Sequence, residues 1–290
     1  MFSMADILLP VDFSQRSLGA ARYAEALFLR YGSRVTMLHV IPPPYYEFAS
    51  MEAGGSAMAD WYAKQRPAIE QQCETFLQEE LPDVQLKRVV VEGDPAREIV
   101  RYSHDGGMSL IVMPTHGYGP FRRFMLGSVT AKVLHDADCP VLTGVHMESA
   151  PAYDKIAFKN VVAAIDLGPL SARTLAWAAQ FACNHQAKLS VVHATMSLEG
   201  RTGEYFDPAW RRHLADEAYS RLETIMQAAD VKGEVVIEPG DPAHTVCSQA
   251  AKHAADLLVI GRGSASGLLG RMRANAYSIV RESPCPVVSV

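Results

Sequence analysis

The chain lacks the features that would place a protein in a membrane, in an oxidising compartment or on a nucleic acid. No apolar run in its 290 residues approaches the ~20 that a membrane-spanning helix requires, and the first apolar run, residues 7–11, is too short for a secretory signal and stops at Asp12. Its 27 Lys and Arg residues are outnumbered by 32 Asp and Glu, and a net charge of -5 gives no electrostatic attraction to nucleic acid or to an anionic membrane. The five cysteines are odd in number and form no CxxC pair, which favours reduced thiols and a cytoplasmic protein.

Several catalytic and cofactor-binding motifs are also missing. The turn after the first predicted strand reads Asp12-Phe13-Ser14-Gln15, without the glycines of a dinucleotide-binding fingerprint. The chain contains no G-x-x-x-x-G-K-[ST] phosphate loop, no G-x-S-x-G nucleophile elbow and no His/Cys/Asp cluster at zinc spacing. These absences argue against a Rossmann dehydrogenase, a P-loop NTPase, an α/β-hydrolase and a zinc protein.

Apolar strands alternate with helices through the first half of the chain. Ser14 is placed to cap a first helix that ends at Gly32, and Asp94 and Pro95 can form the cap and the first position of a later helix. The alternation predicts an α/β fold with a mostly parallel sheet covered on both faces. The predicted strands are residues 7–11, 35–40, 86–91, 110–113 and 141–145, with a loop at 42–57, a long helix that ends near residue 80 and a helix at 128–135.

The second half of the chain repeats the first. Asp166 follows an apolar run as Asp12 does, and the triplets Gly-Asp-Pro and Cys-Pro-Val each occur once per half. The offset between matching motifs falls from 154 to 147 to 146, so the order is kept while the loops change length. We therefore predict two domains, residues 1–147 and 158–290, with a linker at about residues 146–159.

One stretch predicts a phosphate site after the fourth strand. It reads, in order, Met113-Pro114-Thr115-His116-Gly117, nine further residues, and Gly127-Ser128, where a helix begins. The first N–H groups of a helix lack intrahelical partners, the dipole there favours an anion, and Gly127 lets a phosphate approach the backbone. Ligands of parallel sheets bind at the carboxyl ends of the strands, where Asp12, Val40 and this loop are expected. An ordinary loop between strand and helix remains the alternative.

These motifs together resemble the universal stress protein family. The resemblance rests on a strand ending in Asp12, a strand ending in His39-Val40, Gly-Asp-Pro, Met-Pro-Thr-His-Gly with its downstream Gly-Ser, and Cys-Pro-Val. It covers both halves, so the chain is similar to a tandem universal stress protein. It implies two Rossmann-like domains of the adenine nucleotide alpha hydrolase-like type, each with a five-stranded parallel sheet of order 3-2-1-4-5. It also implies ATP binding through a G-2x-G-9x-G-[ST] motif, whose first glycine is replaced here by Pro114, a residue without an N–H to donate.

The resemblance implies a set of nucleotide contacts in the first domain. Asp12 would approach the ribose and adenine, the Val40 backbone would approach adenine, and Met113 would flank the site. Pro114 would contribute packing or a carbonyl. The ribose and phosphates would be held by Gly117, Gly127, Ser128, Val129 and Thr130.

The second domain departs from this motif. Its loop keeps Gly261 and Gly263, but the positions that should be Gly-Ser fall on residues 273–274 or 274–275, and neither alignment restores Gly-Ser. Asp166 also remains. We therefore expect a degenerate second site.

The candidate side chains have structural alternatives. Asp12 and Asp166 recur in both halves, which suits helix capping as well as ligand binding. His39 and His193 follow apolar strand residues and suit satisfied core or rim positions better than catalysis. His116 could meet a phosphate or face solvent, and two arginines within the nine-residue loop could screen phosphate charge or form a polar surface.

Two classes of function follow. The first is a nucleotide-binding regulatory protein of the stress response, with ATP as its ligand and with AMP, ADP and a Mg²⁺ ion left open. The second is a structural or interaction protein whose sites are empty or hold another ligand. A slow ATPase is a third hypothesis, but phosphoryl transfer needs a metal site and a positioned nucleophile. Asp12 is the only carboxylate that the motif places at the mouth of the sheet, so we do not expect an enzyme.

The fifth strand of each half predicts an assembly. An open apolar sheet edge is normally covered or paired, and single-domain members of the family that the chain resembles commonly dimerise through this strand. A tandem chain holds its two halves at high effective concentration. We therefore expect an intramolecular pseudo-dimer with adjacent, antiparallel fifth strands, and we leave open a homodimer of whole chains and the identity of any protein partner.

Overall fold

The computed structural model describes residues 2–43, 55–116, 126–195, 208–262 and 270–290, which form two compact units. Unit 1 comprises Ser3–Thr143 and Met147–Ile156, and unit 2 comprises Gly144–His146 and Ala157–Val290. Within these described ranges, no helix combines the length and the hydropathy needed to cross a bilayer.

Unit 1 is a parallel sheet whose strands alternate with helices along the chain. Its strands follow the order β3-β2-β1-β4-β5, and each pairing within it is parallel. This is the 3-2-1-4-5 order that the resemblance implied. The elements are β1 (Asp6–Pro10), α1 (Gln15–Tyr31), β2 (Arg34–Ile41), α2 (Gly55–Thr75), β3 (Leu86–Glu92), α3 (Pro95–Asp105), β4 (Leu110–Val112), α4 (Ser128–Asp136) and β5 (Val141–Thr143).

Unit 2 repeats this arrangement. Its strands follow the order β8-β7-β6-β9-β10, again all parallel, so both units have the predicted α/β fold. The elements are β6 (Asn160–Ala164), α5 (Ser171–His185), β7 (Lys188–Thr195), α6 (Pro208–Ala228), β8 (Glu234–Pro239), α7 (Pro242–Lys252), β9 (Leu257–Ile260), α8 (Gly270–Glu282) and β10 (Val287–Ser289).

The central strands form the cores of the two units. Ile7, Leu8 and Leu9 of β1 are fully buried, as is every residue of β4. Such continuous apolar runs are typical of strands with helices on both faces, because neither face meets water. This packing on both faces fixes the carboxyl ends of β1 and β4, and therefore the positions from which the following loops begin.

Local sequence signals place the helix ends as predicted. The Ser14 side chain accepts a hydrogen bond from the Ser17 N–H at the start of α1, and Gly32 ends that helix in the left-handed conformation with φ of 65°. Asp94 caps α3 by accepting from the Arg97 N–H, and Pro95 occupies the first turn. These caps satisfy backbone groups that a helix end leaves without partners.

Three differences from the prediction are larger than the one-residue shifts at other element ends. Helix α2 ends at Thr75 rather than near residue 80, and Leu77 then adopts a left-handed φ of 64°, which interrupts helical geometry. Strand β5 ends at Thr143, and Val145–Ser149 forms a 3-10 turn instead of continuing the strand. The segment predicted as a polar linker is partly packed, since Met147 is fully buried.

Candidate functional site

A cavity of about 280 Å³ lies in unit 1 where strands β1, β2 and β4 end. Seven of the ten first-domain residues selected from the sequence line it together. They are Asp12, Val40, Met113, Pro114, His116, Val129 and Thr130. Ligands of parallel sheets bind at the carboxyl ends of the strands, and these residues, distant in sequence, meet at those ends.

The other three selected residues are Gly127, Ser128 and Gly117. Gly127 and Ser128 are absent from the lining, and Ser128 is exposed at the first position of α4. Gly117 falls outside the described residues, as do the two arginines of the nine-residue loop. The sequence interpretation also missed eight lining residues, of which two come from α3, the helix predicted from Gly-Asp-Pro. The eight are Pro10, Val11, Ser17, Leu38, His39, Pro42, Pro95 and Ile99.

Asp12 has the structural role considered for it, and it also lines the cavity. Its Oδ1 accepts hydrogen bonds from the Ser14 N–H at 3.1 Å and from the Ser17 hydroxyl at 2.8 Å, so it braces the first turn of α1. The Ser17 hydroxyl oxygen in turn accepts from the Asp12 N–H at 3.2 Å. Among the described residues, the hydrogen bonds to this carboxylate fall on Oδ1, which leaves Oδ2 as an acceptor for a ligand hydroxyl in the cavity.

The His39 side chain lines the cavity and is held by a hydrogen bond to the backbone. Its Nδ1 lies 2.9 Å from the Val11 carbonyl oxygen, and because a carbonyl only accepts, the ring must carry its proton on Nδ1. Burial lowers the pKa of His39 below its ordinary value, which favours the neutral ring at pH 7. The ring stacks on Phe13 with centroids 4.4 Å apart. This confirms the prediction of a satisfied rim histidine.

Two hydrogen bonds join the end of β4 to the start of α4. The Gly127 N–H donates to the Thr115 carbonyl at 2.8 Å, and the Thr130 hydroxyl donates to the Pro114 carbonyl at 3.0 Å. The Gly127 N–H is therefore already engaged. The Thr130 hydroxyl uses its only proton in the hydrogen bond to the Pro114 carbonyl. Its oxygen can therefore accept a hydrogen bond from a ligand but cannot donate one.

Gly127 lies where two backbone segments approach each other closely. Its φ is -63°, so the position does not depend on a left-handed backbone conformation. A Cβ at this position would lie 3.1 Å from the Thr115 carbonyl oxygen. An alanine here would require one of the two backbone segments to shift by a few tenths of an ångström.

Helix α4 begins beside the cavity, and its first backbone amides have no hydrogen-bond partner among the described residues. Its first intrahelical hydrogen bond runs from the Ala131 N–H to the Gly127 carbonyl at 2.8 Å, so the amides of residues 128–130 precede the ladder. The N-cap is Gly127, which has no side chain to satisfy them. Such amides and the helix dipole form a favourable environment for a phosphate.

His116 points inward rather than to solvent. The residue is only 6% exposed, and its Nδ1 lies 2.8 Å from the Thr115 hydroxyl oxygen. The solvent-facing alternative is therefore wrong for this residue. Its place in the cavity lining is consistent with the ligand-facing alternative.

Unit 2 contains a cavity of about 260 Å³ at the matching place. Asp166 Oδ1 accepts from the Gly168 N–H at 2.8 Å and from the Ser171 hydroxyl at 2.9 Å, which repeats the bracing by Asp12. His193 Nδ1 lies 2.7 Å from the Ile165 carbonyl oxygen, as His39 does from Val11. Asp166 and Gly261 line the cavity, whereas Gly263 falls outside the described residues.

The two units differ at the helix that follows the fourth strand. The offset of 146 that aligns Cys139 with Cys285 places Ser128 opposite Ala274. Helix α8, however, already begins at Gly270. The amides that match the open start of α4 therefore lie one turn inside α8, where an α-helix uses its N–H groups in its own ladder.

Two of the cysteines, Cys73 and Cys285, are buried. Burial raises the pKa of the Cys285 thiol to about 11 and that of the Cys73 thiol also to about 11. Thiols with raised pKa values are poor nucleophiles at neutral pH. Among the described residues, no group of His, Cys, Asp and Glu side chains is arranged to hold a metal ion.

Comparison with known proteins identifies the class. The model of the universal stress protein family matches residues 4–143 and again residues 157–290. These two matches cover nearly the whole chain and one falls on each unit. The chain therefore belongs to the universal stress protein family and carries two such domains in tandem.

Individual relatives agree with the tandem organisation. A universal stress protein of Mycolicibacterium smegmatis is 25% identical over 291 residues, covering 98% of this chain and 96% of its own. The shorter universal stress protein YxiE of Bacillus subtilis is 30% identical over 146 residues, 46% of this chain and 99% of its own. The crystal structure of a universal stress protein from Archaeoglobus fulgidus shares the fold over 99% of this chain and 96% of its own, with a TM-score of 0.67 and 24% identity.

Proposed function

We propose that unit 1 binds an adenine nucleotide, with ATP as the first candidate, and that occupancy of this site regulates a stress response. The observation that carries the proposal is the junction between a cavity of about 280 Å³ and the uncapped start of α4. The cavity is near the lower end of the ~300–1,000 Å³ typical of small-molecule pockets. Membership of the universal stress protein family supports the choice of an adenine nucleotide, because many members bind ATP.

Each part of the ligand has a proposed partner. Asp12 would accept a hydrogen bond from a ribose hydroxyl through Oδ2. Val40, which is 7% exposed at the cavity wall, would contact adenine. The phosphates would lie along the amides of residues 128–130, with Gly117 as a further proposed contact. Gly127 would act indirectly, since its N–H already holds the loop after β4 against α4.

We propose binding without efficient turnover. Phosphoryl transfer requires groups that position a metal ion and a nucleophile. Asp12 is the carboxylate among the described lining residues, and its Oδ1 is committed to α1. AMP, ADP and a Mg²⁺ ion that accompanies the phosphates remain part of the test, as does slow hydrolysis. A cytoplasmic location and the pairing of the two halves through their fifth strands stay predictions.

Calorimetry of the full chain with ATP, ADP and AMP, with and without Mg²⁺, tests the proposal. Asp12→Ala should weaken ATP binding to unit 1 by about 1–3 kcal/mol, the cost of losing a hydrogen bond to a charged group. Asp166→Ala removes the matching carboxylate of unit 2 and is the control, which should leave that affinity unchanged. Equal losses in both variants would contradict the assignment, and no binding of any of the three nucleotides would favour the structural or interaction alternative.

A further inference from the structure

Helix α2 of unit 1 is buried against the protein only at its carboxyl end. Cys73 and Leu77, near that end, are 2% and 1% exposed, and the Arg88 side chain of β3 donates from Nε to the Cys73 carbonyl at 2.9 Å. Residues 59–72 precede this point, and none of them, all within the described ranges, is buried. Since packing supplies most of the stability of a helix in a protein, the first part of α2 depends on other contacts.

An ion pair joins the first part of α2 to the sheet. The Arg66 guanidinium donates to Glu92 Oε1 from Nε at 3.0 Å and from Nη2 at 2.8 Å. Side chains alternate between the two faces of a strand, so Arg88 and Glu92, four residues apart on β3, lie on the same face. Helix α2 is therefore attached to β3 at two points, through Cys73 and through Arg66.

A proline interrupts the hydrogen-bond ladder of α2 between these two points. Pro67 lies inside the helix and has no N–H, so the Ala63 carbonyl lacks the donor that an α-helix supplies from four residues ahead. The proline ring also crowds that carbonyl, and sharp helix bends commonly occur at proline. The ladder is therefore weakest directly after Arg66.

The matching helix of unit 2 is built differently. Within α6 the only proline is its first residue, and buried side chains recur along the helix at Ala218, Leu222 and Met226. The offset of 147 that aligns the two Gly-Asp-Pro triplets places Pro239 opposite Glu92, and a proline cannot form an ion pair. Helix α6 is therefore held by packing, without the arrangement found on α2.

We propose that residues 55–66 of α2 form a flap that pivots at Pro67 and is latched to the edge strand β3 by the Arg66–Glu92 ion pair. The side chains of the pair are 38% and 33% exposed, and an ion pair with this exposure is weak and screened by salt. A rise in ionic strength therefore releases the latch and lets the flap leave β3.

The latch lies at a strand end that supports the cavity of unit 1. The Gly93 N–H, directly after Glu92, donates to the Ile41 carbonyl at 3.1 Å. The next residue after Ile41 is Pro42, which lines the cavity, as does Pro95, two residues after Gly93. The flap thus connects ionic strength to the rim of unit 1, whereas Pro239 leaves unit 2 without this connection.

Hydrogen exchange of the full chain, read at single residues by mass spectrometry with fragmentation, tests the flap. A hinge at Pro67 predicts a step, with low and uniform protection at residues 59–66 and about tenfold or higher protection at residues 68–75. Raising NaCl from about 0.05 M to about 1 M should speed exchange at residues 59–66 about threefold, the scale of an exposed ion pair, and leave residues 68–75 unchanged. A smooth gradient of protection along α2, or exchange at residues 59–66 that ignores salt, would overturn the proposal.

Three substitutions separate the latch from the hinge. Glu92→Lys replaces the attraction to Arg66 by repulsion, so exchange at residues 59–66 should rise about tenfold, and NaCl should now slow it. Pro67→Ala restores the missing N–H and should slow this exchange about tenfold or more. Glu74→Gln removes an exposed carboxylate beyond the hinge and should change neither the step nor the response to salt. A folded Glu92→Lys protein whose exchange still rises with NaCl would refute the latch, and an unchanged rate in Pro67→Ala would refute the hinge.

Discussion

A buried acid on α1 predicts how the stability of unit 1 depends on pH. Glu25 is only 1% exposed, and among the described residues its Oε2 has no hydrogen-bond partner. Burial, and secondarily the charge of Asp83, raises the pKa of Glu25 from 4.5 to about 7. The folded state therefore holds the proton more tightly than the unfolded state does.

The sign and size of the effect follow from this difference in pKa. Between about pH 4.5 and pH 7 the folded state binds more protons than the unfolded state, so the free energy of unfolding falls as pH rises. The penalty is absent below about pH 4.5 and complete above about pH 7. At ~1.4 kcal/mol for each pKa unit, it amounts to about 3 kcal/mol, a large part of the ~5–15 kcal/mol that usually stabilises a domain.

Glu25→Gln should remove this pH dependence. Urea unfolding is followed at pH 5, 6, 7 and 8 by pulsed hydrogen exchange and mass spectrometry, so that the peptides of α1 report on unit 1 separately from unit 2. The diagnostic quantity is the slope against pH, because a buried amide can carry its own cost of about 1–3 kcal/mol if a donor stays unpaired.

Two further variants separate the causes. Asp83→Asn should reduce the slope only modestly, because burial is the larger cause of the raised pKa. Glu79→Gln removes an exposed carboxylate and should leave the slope as it is. An unchanged slope in Glu25→Gln, or an equal flattening in Glu79→Gln, would refute the reasoning.

Two other predictions concern backbone features. Gly127→Ala places a Cβ 3.1 Å from the Thr115 carbonyl oxygen. It should therefore destabilise unit 1 by about 1 kcal/mol or more and weaken ATP binding. A variant with the same urea unfolding curve and the same ATP affinity by calorimetry as the parent protein would contradict this. Asp94→Ala and Asp241→Ala each remove an N-cap, of α3 and α7 respectively, and each should lower the stability of its own unit by about 1 kcal/mol. Hydrogen exchange should show each loss in one unit only, and a loss shared by both units would contradict the separate assignment.

The features that could be predicted from sequence are those that depend on local chemistry. Gly32 ends α1 because only glycine adopts φ of 65° without cost. Asp94 caps α3 because a short carboxylate reaches the third amide of the helix. Apolar runs at residues 7–9 and 110–112 are buried strands because neither face of the sheet meets water. The repeat of these signals in the second half was enough to predict a second copy of the fold.

Features that depend on tertiary contacts could not be predicted in this way. Phe13 adopts a φ of 62° although it is not glycine, and the turn is supported by the bond from the Ser14 N–H to Asp12 and by the stack on His39. Leu167 in unit 2 has nearly the same φ, 60°. The conformation of Phe13 could not be read from its residue type, because one of the neighbours that support it, His39, is distant in sequence.

The two cavities differ in where a helix starts more than in which residues line them. An alignment shows only that Gly-Ser is lost in the second half, which by itself would predict a site that no longer binds. The structure shows that the cavity persists and that Asp166 is braced as Asp12 is. What changes among the described residues is the start of the helix, because α8 begins at Gly270, a turn before the point that matches Ser128. Since backbone amides bind phosphates whatever the side chain is, moving a helix start by one turn can alter phosphate selectivity while the rest of the pocket is conserved.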